Sequence, residues 1–132
     1  MARSTVPEKE RFSLVKRAES FTYAGRGLWV FIRSTHNLWI HIFILVCVAV
    51  LGIFFHITRT DWTMIVFASG FVLTAEAFNT AIEIDIDLTS PEYHPYAKDT
   101  KDVAAGAVLL SAITAALIGA IVFVPYLMGL IH

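Results

Sequence analysis

The run EAFNTAIEIDID sets Glu76, Asn79, Glu83 and Asp87 at offsets of 0, 3, 7 and 11. At about 100° per residue a helix gathers these four within an arc of roughly 80°, with Asp85 on the opposite side. The stretch before them, Trp62 to Ala75, contains no Asp, Glu, Lys or Arg, so the stripe begins in apolar surroundings. Ionisable groups in hydrocarbon are costly and therefore rare without a purpose. A carboxylate near phosphates can hold Mg²⁺, and another near an acceptor hydroxyl can take its proton, which suits phosphoryl transfer. The same stripe could serve an ion- or proton-coupled transport subunit. Glu83, Asp85 and Asp87 also fit plain solvation at headgroup level. Glu76, deeper and backed by Asn79, fits it least.

A second polar group follows in SPEYHP and AKDTKDVAAGAV. Lys101 and Asp102 are expected to open another apolar helix, where a lysine can neutralise a triphosphate and Asp102 can contact the nucleotide or cap the helix. Glu92, Tyr93 and His94 lie just upstream, within reach of a nucleotide bound there. The sequence has no Gly-rich phosphate loop, so side chains and a metal ion must hold any phosphates. His41 and His56 have no ligand partner at helical spacing and read as packed or interfacial residues. Cys47 is the single cysteine, which excludes an internal disulfide and a CxxC site.

The elements that must position these residues follow from three apolar runs. With 132 residues, the chain has room for one domain, and 57% of them are hydrophobic against 16% charged. Apolar runs, the second charge-free from Trp62 to Ala75 and continuing helically through Glu76 and Glu83, predict spans over about 38–57, 62–84 and 103–127, because a domain this small has too little interior to bury three such segments. Residues of about 12–32 form an expected amphipathic surface helix, with Leu14, Ala18, Phe21, Gly25 and Leu28 on one stripe and Lys16, Glu19, Tyr23 and Arg26 on the other. The fold class is thus all-α integral membrane, one domain over 1–132. Arg3, Lys9, Arg11, Lys16, Arg17, Arg26 and Arg33 all precede Leu38, and Lys98 and Lys101 follow the second span. This places the N-terminus and the second connection in the cytoplasm, where ATP is. No removable signal peptide is expected. The small residues Ala112, Ala115, Ala116, Gly119 and Ala120 favour close helix packing. The net charge of −1 gives no indication of a nucleic-acid partner.

Glu76 through Glu83, Asp87, SPEYHP and KDVAAGAV together closely resemble the prokaryotic diacylglycerol kinase and undecaprenol kinase family over about residues 11–125. The resemblance implies a homotrimer of three-span protomers in the cell membrane, each with a surface helix, and active sites between protomers facing the cytosol. It implies ATP- and Mg²⁺-dependent phosphorylation of a lipid alcohol, with Glu76 as general base and Asn79 orienting the lipid hydroxyl. Glu83 would bind the metal. Lys16, Tyr23, Glu83, Glu92, Tyr93, His94, Lys101 and Asp102 would contact ATP. Thr35 falls where the family usually carries a second metal-binding Glu, beside His36 and Asn37; a hydroxyl can coordinate Mg²⁺ but brings no charge. SPEYHP, and Ala105 in place of a hydroxyl residue, lean toward undecaprenol over diacylglycerol. A kinase-like protein that binds lipid or nucleotide without turnover is the alternative.

Overall fold

The computed structural model describes residues 14–35 and 38–130, except for the side chains of 14–16. The described residues form helices α1 (Leu14–Ser34), α2 (Leu38–Phe54), α3 (Arg59–Thr89) and α4 (Pro95–Met128), and no strand. The all-α expectation holds. The chain divides into two compact units, Met1–Val30 and Phe31–His132. The first holds most of α1, on which Phe21, Tyr23 and Leu28 are exposed. The second holds the end of α1 and all of α2, α3 and α4.

Helices α3 and α4 are each long and apolar enough to cross a membrane, and counting α2 together with the helix before it adds a third candidate. Alone, α2 has 17 residues, the short end of what a bilayer core demands.

The helix ends have local causes. At the end of α2, Ile57 N–H bonds to Gly52 O at 3.1 Å and His56 N–H to Ile53 O at 3.2 Å, a Schellman pattern. His56 occupies its left-handed position with φ 51°, where glycine is the commoner choice. The chain then turns at once into α3. Thr58 caps that helix: its hydroxyl oxygen accepts from Asp61 N–H at 3.2 Å, while Asp61 Oδ2 accepts from Thr58 N–H at 3.0 Å.

Helix α3 runs on to Thr89, past the expected end near residue 84, because an apolar run marks the membrane-spanning part of a helix and not its end. Helix α4 begins at Pro95, well before residue 103. Proline suits the first helical position, and His94 Nδ1 accepts from Tyr96 N–H at 3.3 Å as the N-cap. Lys101 and Asp102 therefore lie within α4 and do not open it. The expected capping role of Asp102 is corrected, and His94 fills it.

Packing is dominated by α3 against α4. The buried stripe of α3 is Ile65, Ala68, Val72, Glu76 and Thr80, the three- and four-residue steps of one helix face. Ile65 joins Ile57, Val122 and Phe123 in an apolar core, with Phe55, Trp62 and Tyr126 packed around it. Tyr126 donates to Asp61 Oδ2 at 2.9 Å, tying the end of α4 to the start of α3. One end of the stripe is thus hydrocarbon and the other carries a carboxylate. The small residues of α4 do not all close against a neighbour: Ala112, Ala115, Ala116 and Gly119 border an apolar groove with Ile44 of α2 and Val72 of α3.

Candidate active site

From Arg59 to Glu76, α3 rises about 25 Å, and Glu83 stands roughly 10 Å further along. Glu76 is 4% exposed. A buried carboxylate is costly unless hydrogen bonds compensate it, and the partner comes from α2: His41 Nε2 lies 2.8 Å from Glu76 Oε1. Neither helical spacing nor composition pointed to this contact. The pair is 35 residues apart, and the one available signal was a polar residue in the first turn of an apolar helix.

One turn along, Asn79 Nδ2 donates to Glu83 Oε1 at 2.9 Å. That bond fixes the amide orientation, since the reverse would set two acceptors together. Among the described residues, Asn79 Oδ1 is then buried without a hydrogen-bond partner. Thr35, also buried, shares a 2.8 Å hydrogen bond with Thr80 Oγ1 on the same inward stripe. Glu76, Asn79, Thr80 and Glu83 thus gather on neighbouring turns of α3, with His41 reaching them from the first turn of α2 and Thr35 from the chain that leads into it.

Among the described residues, the nucleotide candidates of the second connection make no hydrogen bond to that cluster. Lys101 Nζ pairs with Asp87 Oδ1 at 2.8 Å, joining α4 to the last turns of α3. This hydrogen bond, reinforced by the charges of Asp87 and Glu83, raises the Lys101 ammonium above its usual range. Asp102 pairs with Lys98 one turn before it, and that contact raises Lys98 likewise. Glu92, Tyr93 and His94 are exposed on the connection. Tyr23 is exposed on α1 in the first unit. The side chain of Lys16, and His36 and Asn37, lie outside the described residues.

No group of three or more His, Cys, Asp or Glu side chains that could hold a metal ion occurs among the described residues. Glu83 Oε1 is engaged by Asn79, and no hydrogen bond to its second oxygen is found among the described residues. One carboxylate is a fitting protein share for Mg²⁺, which commonly takes its remaining ligands from phosphates and water.

The model of the family "Prokaryotic diacylglycerol kinase" matches residues 22–123. The chain is similar to a protein named undecaprenol kinase from Bacillus subtilis, 37% identical over 109 residues, covering 83% of this chain and 89% of that one. It is also similar to a protein named diacylglycerol kinase from Synechocystis sp., 38% identical over 112 residues, covering 84% of this chain and 64% of that one, less than two thirds of its length. No solved structure matches. The chain belongs to the prokaryotic diacylglycerol kinase family. Its class is that of the lipid kinases of the diacylglycerol and undecaprenol kinase type.

Proposed function

We propose that this protein transfers the γ-phosphoryl group of ATP to the hydroxyl of a membrane lipid alcohol, at the cytosolic face of the cell membrane. The observation that carries this reading is the burial of Glu76, 4% exposed, with Oε1 held by His41 at 2.8 Å. That leaves Oε2 to take the hydroxyl proton as the lipid oxygen attacks phosphorus and the bond to the ADP oxygen breaks. Asn79 Oδ1, buried and without a partner among the described residues, is an acceptor suited to orienting that hydroxyl. Mg²⁺, held by Glu83, would supply charge neutralisation on the phosphates. Lys101, Asp102, Glu92, Tyr93 and His94 would line the nucleotide, with Lys16 and Tyr23 contributed by α1. Thr35, at the position of a second metal ligand, offers a hydroxyl that brings no charge and is hydrogen-bonded to Thr80. In-line transfer asks mainly for positioning and neutralisation, so no covalent enzyme intermediate is required.

The functional unit is a homotrimer of three-span protomers with cytosolic N-termini, as the family resemblance implies. Undecaprenol is the favoured lipid, on SPEYHP and Ala105 and on the fuller coverage of the B. subtilis undecaprenol kinase.

The test is transfer from labelled ATP in mixed micelles with Mg²⁺, with undecaprenol and diacylglycerol offered side by side. Wild type runs beside Glu76→Gln, Glu83→Gln and Thr35→Glu, and light scattering reports the oligomer. Product that vanishes in both Gln variants supports the reading and names the lipid. Absence of product with either lipid, from folded trimeric protein, rejects it in favour of binding without turnover.

A further inference from the structure

We propose that His41 is a positioning residue for the phosphoryl-transfer reaction, holding Glu76 in the rotamer and orientation in which it receives the substrate proton. The inference rests on the reading of Glu76 as general base. A base must be ionised before transfer, and an ionised carboxylate only accepts hydrogen bonds. His41 Nε2, at 2.8 Å from Oε1, therefore carries the hydrogen and donates it. One carboxylate oxygen is spoken for, and the other stays open to the lipid hydroxyl.

The surroundings make His41 the natural donor for this task. Thr80, one turn beyond Glu76 on the same stripe, is bonded to Thr35, and the amide of Asn79 is bonded to Glu83. His41 stands in the first turn of α2, three residues after Leu38, which is 3% exposed and anchors that turn. Glutamate has three rotatable side-chain bonds, and the His41 contact is the one hydrogen bond found for Glu76 among the described residues, so a donor from another helix ties its orientation to helix packing. A base displaced by about 1 Å loses on the order of 100-fold in rate. His41 itself touches neither the hydroxyl proton nor phosphorus in this scheme.

The experiment is steady-state turnover of the full chain in mixed micelles with saturating undecaprenol and varied ATP, for wild type, His41→Gln, His41→Asn, His41→Leu and Glu76→Gln. The glutamine amide nitrogen reaches the place of Nε2 and donates as it does, whereas asparagine is too short. The expected result is a kcat lowered about 10- to 100-fold in His41→Leu and His41→Asn, with KM for ATP unchanged, and most of kcat restored in His41→Gln. Because His41→Asn and His41→Gln are both polar, their ordering decides the matter even where His41→Leu fails to fold. Equal kcat in Asn and Gln variants, wild-type kcat in His41→Leu, or a loss confined to KM overturns the proposal. An inactive Glu76→Gln beside a fully active His41→Leu overturns this inference alone. An active Glu76→Gln overturns the base assignment and this inference with it.

Discussion

Thr35 Oγ1 and Thr80 Oγ1 lie 2.8 Å apart in a buried hydrogen bond that fastens the chain entering α2 to the inward stripe of α3. Removing one partner leaves the other hydroxyl buried and unsatisfied, at a cost of about 1–3 kcal/mol, whereas removing both is nearly neutral. Thr80→Val should therefore lower the unfolding midpoint in detergent, and Thr35→Val combined with Thr80→Val should recover much of the loss. Strictly additive effects of the two substitutions would show that the bond contributes no coupling.

Gly52 offers a test of the turn between α2 and α3. A Cβ there would stand 2.8 Å from two ring carbons of Trp62 and 3.0 Å from Ile57 Cδ1. Trp62 is packed against the apolar core, so it cannot swing away freely. Gly52→Ala is expected to destabilise the protein by about 1–3 kcal/mol. Turnover per folded molecule should be unaffected, since the site is at the other end of α3. Thermal unfolding and specific activity measured on one preparation check both halves.

Acid should loosen the same end of the molecule. Hydrogen bonds from Thr58, and then from Tyr126, hold the Asp61 carboxyl below its ordinary value near 3.8. A group depressed by folding contributes stability that is complete above the unfolded value and is lost as pH falls through the folded one. The melting midpoint of wild type should thus drop on acidification below about pH 4 more steeply than that of Asp61→Asn. Parallel curves for the two proteins would remove Asp61 from the account.

Lys101 provides a charge test of the proposed nucleotide region. Its ammonium is raised by the hydrogen bond to Asp87, so its contribution is complete below the usual lysine value of 10.5 and fades only as pH rises above that. Lys101→Ala should raise KM for ATP roughly tenfold, a modest charge-assisted contact, at every pH from neutral to mildly alkaline. Asp87→Asn frees the lysine from its partner and should leave KM equal or lower. ATP titrations of both variants at two pH values decide it; an unchanged KM in Lys101→Ala takes this residue out of the nucleotide site.

Much of this architecture is legible in the sequence because hydrocarbon is an exacting solvent. The charge-free runs mark α2, α3 and α4, and the offsets of Glu76, Asn79 and Glu83 place them on neighbouring turns before any coordinates are known. Hydropathy reports where the apolar stretch lies and says little about where the helix stops. For that reason Lys101 and Asp102 read as the opening of the helix, with Asp102 as a candidate cap, although Pro95 and His94 carry the start signal. Contacts between helices were not legible. Helical periodicity relates residues on one helix, so it links Glu76 to Thr80 but cannot link either to His41 or Thr35. Lys101 likewise met Asp87 through the path of the SPEYHP turn, which no spacing rule specifies.

The length of α3 has a consequence for the membrane around it. At 31 residues the helix measures about 46 Å, against a hydrocarbon core of about 30 Å. Glu76 and Glu83 are marks on one stiff rod, so with α3 crossing the bilayer their depths are set together and cannot adjust separately. On the proposed reading of Glu76 as the base, the rod would work as a gauge for the level at which a lipid presents its hydroxyl. Host bilayers of stepped acyl length would slide that level past Glu76, and turnover should peak at one thickness and fall on either side of it.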